Sequence, residues 1–373
     1  MTRRLLAAVV LAAVVCPPLG GCGTDAASGP APAMLPRDFV GISTEDAFAR
    51  PGHYRRTQLR RQARAGIGVV RQTFAWNAIE LQPGRYRFAR YDRFVLDVAR
   101  AGMRVLPILF DPPAFRARAL PRGVQRATAP PRDPQTMAHF ATLLVRRYGP
   151  DGTLWRAHPE IPAKPITSWQ VWNEPNLGVY WRGRPSAAEY TDLLRVVGQA
   201  IHDADPRAEV LTAGLPQSKL GVPFEDYLRA MYAAGAQHTF DVLAINAYSR
   251  TVAGMQAAIV GARRITASAQ DGDVPIWVTE FGWATRPGPG SKMTVKRSTQ
   301  ARLLGTAIPD LAAQRERLGL RGLVYYGWRD ARPYPGGTDF WGLHTGLLDR
   351  AGRAKPALQS FAAGIRLARD GRR

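Results

Sequence analysis

Cysteine is almost missing from this chain of 373 residues: there are two, Cys16 and Cys22, both near the N-terminus. Everything after Cys22 must therefore fold without a disulfide, on core burial alone, which suits one large domain. Metal-ligand spacing is missing as well. The six His are isolated, with no His-Glu-x-x-His pattern and no Cys partners, so no metal site is expected. A phosphate-cradling Gly-rich loop, a nucleophile elbow and a dinucleotide fingerprint are likewise absent, and no cofactor is implied. Acidic residues are few, 29 against 51 basic, giving a net charge of +22. Lysine is scarce too (Lys164, Lys219, Lys292, Lys296, Lys355), so the basic charge is carried by arginine. The arginines are scattered, with no run of the kind that marks a nucleic-acid arm, and no nucleic-acid partner is expected. The charge is read as an attraction to anionic cell-surface material, with a faint preference for an anionic substrate such as a uronate-bearing polymer.

Long apolar runs are confined to one place. Arg3 and Arg4 precede an apolar stretch, Leu5 to Val15, of signal-peptide length and too short to span a bilayer. Leu19-Gly20-Gly21-Cys22 follows and resembles a bacterial lipobox, in which the cysteine is acylated. Residues 1–21 thus read as a lipoprotein signal and Cys22 as a lipidation site. The expected location is outside the cytoplasm, on the cell membrane through that anchor, or secreted if cleavage is simple. Small, Pro- and Ala-rich residues make 22–37 a flexible tether. The remainder, 38–373, is expected to be a single catalytic domain, acting as a monomer.

Hydrophobic residues make up 46 % of the chain, enough for a packed core. From Phe39 onward short apolar runs alternate with amphipathic stretches, the pattern of parallel strands joined by helices. Ala65-Gly66-Ile67-Gly68-Val69-Val70 is echoed by Ala101-Gly102-Met103-Arg104-Val105-Leu106. In each, a glycine closes a helix in the left-handed conformation and a buried strand follows, and Gly235 and Gly319 fall in similar places. The strand candidates are Phe39–Thr44, Val69–Phe74, Val105–Phe110, Ser168–Trp172, Val210–Gly214, Val242–Asn246, Ile276–Thr279 and Gly322–Tyr326. Helices are predicted near Tyr54–Ala65, Tyr91–Ala101, Gln135–Tyr148, Ala187–Asp203, Phe224–Ala234, Ala253–Ala269, Lys296–Leu318 and Pro356–Leu367. Ser186 and Glu189 predict a capping box at the start of the fourth. Eight alternating pairs predict an α/β fold, a (β/α)₈ TIM barrel; an open doubly wound sheet is the rival, but lacks its phosphate loop here. Asp111–Arg132 and Arg329–Leu347 are long connections after the third and eighth strands, and are expected to wall the active site.

Two strand ends carry chemistry. Trp169-Gln170-Val171-Trp172-Asn173-Glu174-Pro175-Asn176 is an apolar strand cut off by Pro175, which sets Asn173 and Glu174 at the C-terminal rim. Ile276-Trp277-Val278-Thr279-Glu280-Phe281-Gly282-Trp283 again ends in a carboxylate. Glycosidic cleavage needs such a pair: a protonated carboxyl for the leaving oxygen and an ionised one at the anomeric carbon. Two carboxyls in one pocket push their pKa values apart and supply both forms at one pH. A separation of about 5–5.5 Å means retention of configuration, about 6.5–9.5 Å inversion. Glu45, Asp111 and Asp330 also end strands, so composition alone does not single out the pair.

The chain resembles clan A glycoside hydrolases, and within them family 39 and its exopolysaccharide-hydrolase relatives, from about Val40 to Arg366. The resemblance implies Glu174 as acid/base and Glu280 as nucleophile. It also implies that Arg71, in Gly66-Ile67-Gly68-Val69-Val70-Arg71, supports the nucleophile, and that Asn173 binds the sugar 2-hydroxyl. Tyr248 is similar to the Tyr that contacts the nucleophile, and Trp328 to the Trp that floors the sugar site. Where many clan members carry His, this chain has Asp111-Pro112-Pro113 and Asn246, which changes sugar recognition at the central subsite. Trp76, Trp181, Trp283 and Trp341 lie in rim segments and are candidates for stacking on sugar rings. The function so implied is retaining hydrolysis of an extracellular or cell-envelope polysaccharide or glycoconjugate. Transglycosylation by the same residues, and a non-catalytic carbohydrate-binding lipoprotein on the same barrel, are the alternatives.

Overall fold

The computed structural model describes residues 34–124, 127–286, 292–333 and 337–371. The signal segment, Cys22 and nearly all of the tether lie outside the described residues. Eight strands build the central sheet: β1 (Val40–Ser43), β2 (Val69–Ala75), β3 (Arg104–Phe110), β4 (Ser168–Val171), β5 (Glu209–Leu211), β6 (Leu243–Asn246), β7 (Ile276–Phe281) and β8 (Leu320–Tyr326). Neighbours in sequence pair in parallel from β1 to β5 and from β6 to β8, and β8 pairs back onto β1. A parallel bridge between Leu211 and Val242 joins β5 to β6 and closes the ring. Past that bridge, the two-residue strand Leu215–Pro216 pairs with Ile245 and Asn246 on β6. The predicted strand Val210–Gly214 is therefore two short segments of one stave, interrupted at 212–214. The fold is a (β/α)₈ barrel.

The helices between them are α1 (Gly52–Arg64), α2 (Ala89–Arg100), α3 (Pro134–Tyr148), α4 (Ala187–Ala204), α5 (Phe224–Ala233), α6 (Val252–Ser268), α7 (Arg297–Ala313) and α8 (Pro356–Arg369). Each lies within a few residues of its predicted bounds except the seventh. Gln314 departs from helical geometry, and Arg315–Leu318 forms a separate turn. Gly66, Gly102, Gly235 and Gly319 all have positive φ, as the repeated helix-glycine-strand pattern requires. Half of the predicted capping box forms: the Ser186 hydroxyl accepts from the Glu189 backbone N–H. The Glu189 carboxylate instead accepts from the indole of Trp181 and from Arg118, tying the loops after β3 and β4 to α4.

Side chains alternate across each strand, so every second residue points into the barrel. Val69, Leu106, Leu211, Val242, Trp277 and Val324 form a separate apolar cluster that plugs its lower end. Gly322 makes room for the largest of them: a Cβ there would lie 2.7 Å from the Trp277 indole nitrogen. Moving two residues along the same face leads from Val69 to Arg71, and from Trp277 to Thr279. The barrel is apolar below and polar above, and that change sets the floor of the site.

Candidate active site

Arg71 is the hub. Its side chain is 2 % exposed and spends its donors on three partners. Nη1 donates to Glu280 Oε1 at 2.6 Å, Nε to Gln170 Oε1 at 2.8 Å, and Nη2 to Asn173 Oδ1 at 3.1 Å. Gln170, fully buried on β4, passes the constraint on by donating to the Thr212 carbonyl at 3.1 Å. A guanidinium bonded on three sides has no rotamer freedom left, so it fixes Glu280 as a rigid part of the wall. The second oxygen of Glu280 accepts from the Tyr248 hydroxyl at 2.7 Å. Burial, then the charge on Glu280, pushes the Tyr248 phenol well above its ordinary range, so it stays a donor.

Glu174 is held differently. One oxygen accepts from the Asn246 amide at 2.7 Å, and Asn246 in turn accepts from the Thr279 hydroxyl at 2.9 Å. Burial, followed by the negative charge of Glu280, raises Glu174 to about 8; the Asn246 bond and the Arg71 charge oppose this. At neutral pH this carboxyl keeps its proton while the charge of its neighbour helps hold it there. The backbone around it is unusual. Trp172 and Glu174 both have positive φ, 75° and 45°, and Asp111 at the end of β3 has 59°. Left-handed geometry at non-glycine residues is costly and collects at functional sites.

Glu174, Glu280, Arg71, Asn173, Asn246 and Tyr248 thus converge at the C-terminal end of the barrel. The tryptophans do not. Trp76 is fully buried, stacked on Phe140 at 5.1 Å with its N–H on Glu80. Trp283 is 1 % exposed and packs edge-on against Phe281. Trp328 is 1 % exposed, its N–H donated to Gln58 of α1 and its ring beneath Arg61. Trp181 is also 1 % exposed, wedged between Trp172 and Tyr190. None of the four offers a face to a sugar, which corrects the expectation for Trp76, Trp283 and Trp328 as substrate-binding residues. Asn246 is corrected as well: it is 1 % exposed with both ends of its amide engaged, so it serves Glu174 rather than the sugar.

Trp341 is the exception. It is partly exposed, and its ring lies 4.7 Å from that of Tyr248, edge to face. Tyr326 at the end of β8 stands 6.3 Å from Tyr248 on the same side. Gln170, Thr279 and Tyr326 were not foreseen from sequence. A clue existed for Gln170, a polar residue in the middle of a buried strand, which needs a partner. Among the described residues no group of His, Cys, Asp or Glu side chains is placed to hold a metal ion, and no helix is long and apolar enough to cross a membrane.

No family description matches the chain, and no curated protein sequence matches it. Solved structures do. A family 39 glycoside hydrolase from the gut symbiont Bacteroides cellulosilyticus WH2 superposes with a TM-score of 0.64 at 19 % identity, covering 90 % of this chain and 64 % of its own. A monomeric β-xylosidase from Caulobacter crescentus CB15 gives 0.64 at 16 % identity, with 88 % and 68 % covered. An exo-β-1,4-mannosidase from Opitutaceae bacterium strain TAV5 gives 0.58 at 17 %, with 89 % and 59 % covered. The chain spans about two thirds of the length of these proteins. At such identities the shared property is the fold: the barrel is the one these glycosidases use.

Proposed function

We propose that the chain is a retaining glycoside hydrolase, acting on a polysaccharide or glycoconjugate outside the cytoplasm. The observation that carries this is the unequal holding of two neighbouring carboxyls. Glu280 is bonded by a cation and a phenol, which suits an ionised nucleophile; Glu174, raised to about 8, suits an acid. In the first step Glu174 protonates the departing glycosidic oxygen while Glu280 attacks the anomeric carbon, giving a glycosyl ester. In the second, Glu174 as base takes a proton from water, which attacks the same carbon and frees Glu280. Asn173, oriented by Arg71, has its amide N–H₂ left for the sugar 2-hydroxyl.

The test is hydrolysis of activated aryl β-glycosides and cell-envelope polysaccharides by wild type, Glu174→Ala and Glu280→Ala, with azide added and products followed by NMR. Retention with these roles gives a β-azide from Glu174→Ala and an α-azide from Glu280→Ala. Binding of a glycan with no turnover on a broad panel would instead make the protein a sugar-binding barrel. Attachment through Cys22 is part of the proposal: a clickable fatty-acid label should enter the wild type in a bacterial host and be lost in Cys22→Ala.

A further inference from the structure

The interruption of the barrel wall after β5 has a tenant. A Cβ on Gly214 would lie 2.3 Å from Asn246 Oδ1 and 2.7 Å from Thr279 Oγ1, so only glycine leaves room for that pair. Thr279, buried on β7 beside the nucleophile, donates to Asn246 Oδ1 at 2.9 Å. That leaves the Asn246 N–H₂ turned to Glu174 at 2.7 Å. We propose that Gly214 and Thr279 are positioning residues that act through Asn246, fixing which end of its amide meets Glu174 and so the pH at which Glu174 gives up its proton.

The physical reason is the two-faced nature of a carboxamide. Its N–H₂ end stabilises a carboxylate, whereas its oxygen stabilises only a protonated carboxyl. The Thr279 proton has two acceptors in reach, Asn246 Oδ1 at 2.9 Å and the Ile245 carbonyl at 3.3 Å, and the shorter bond holds the amide oxygen away from Glu174. The other groups facing Glu174 are Glu280 from β7, whose charge favours the proton, and Arg71 from β2, which opposes it; Tyr248, beyond β6, is a neutral donor to Glu280. Among the described groups facing Glu174, Asn246 is the contact whose sense can be reversed without changing charge.

The proposal rests on Glu174 being the acid/base, but its test does not need turnover. Infrared titration of the carboxyl band that disappears in Glu174→Gln reads the proton directly. Thr279→Val, which keeps shape and removes the hydroxyl, should move that titration up by about one pH unit, a charged hydrogen bond's worth. Gly214→Ala should do the same, and Thr279→Ser should restore the wild-type value. Where turnover is measurable, the alkaline limb of kcat/KM should follow the infrared shift. A folded Thr279→Val whose Glu174 titrates as in wild type overturns the proposal. Failure of wild type to hydrolyse any glycoside overturns the enzymatic reading alone and leaves the titration standing.

Discussion

Glu174→Gln should stabilise the folded protein at alkaline pH and not at acid pH. Folding raises the Glu174 pKa from 4.5 to about 8, so the folded chain holds a proton that the unfolded chain has already released. Where the folded state binds more protons, stability falls as pH rises; here it falls between 4.5 and about 8 and is flat on either side. That span of about 3.5 pH units, at about 1.4 kcal/mol each, sets a ceiling near 5 kcal/mol. The edge of Glu174 open to solvent reduces this to roughly 2–3 kcal/mol. Glutamine has no proton to lose and keeps an oxygen for the Asn246 donor. With about 2.1 cal/mol/K per residue of unfolding entropy, the gain is about 3–4 °C in Tm for a chain of 373 residues. Thermal unfolding of both proteins from pH 4 to pH 9 measures it, since every other titrating group is shared. A difference in Tm that stays constant over that range would refute the argument that burial beside Glu280 holds the proton.

Arg71→Met leaves Glu280 buried without its cation, and should cost about 3–5 kcal/mol of stability together with about 100- to 1000-fold in kcat/KM; denaturant unfolding and kinetics in parallel check both. Tyr248→Phe removes one bond to Glu280 and little packing, so kcat should fall about 10- to 100-fold with Tm nearly unchanged. Trp328→Ala, which empties a buried site against α1, should lose about 3–5 kcal/mol of stability while the surviving folded enzyme keeps its KM. Trp341→Ala should do the reverse, raising KM about 2- to 10-fold with little change in Tm.

The strands, and the rim position of Glu174 and Glu280, were legible because each depends on local pattern. An apolar run ending in Asn173, Glu174 and Pro175 can only stop at a rim, and a left-handed glycine before each of several strands marks a repeated unit. Which face a tryptophan presents is not local. Trp76 follows β2 at the rim as expected, yet Glu80 and Phe140 claim both its N–H and its ring. Trp328 follows β8 as expected, but Gln58 on α1, far away in sequence, turns it outward. The bond from Arg71 to Gln170 spans 99 positions and leaves no trace in either strand beyond a polar residue among apolar ones. Period and punctuation predicted where side chains stand; the competition among partners decided where they point.

Among the described residues Arg71 is the arginine bonded to Glu280, and it reaches it from inside the barrel, fixed by neutral Gln170 and Asn173. Its effect runs in sequence through both carboxyls. It bonds Glu280, and the charge of Glu280 is the second cause, after burial, of the raised pKa of Glu174. Glu174 is therefore protonated partly because Glu280 is charged. If Glu280 becomes a glycosyl ester, as proposed, its charge is gone, and what remains for Glu174 is burial against the Asn246 bond and the Arg71 charge. Glu174 would then have less reason to hold a proton at the stage where the proposed reaction asks it to accept one from water. In the proposed reaction the same pair of side chains would supply acid first and base second, with the covalent step itself lowering the hold of Glu174 on its proton.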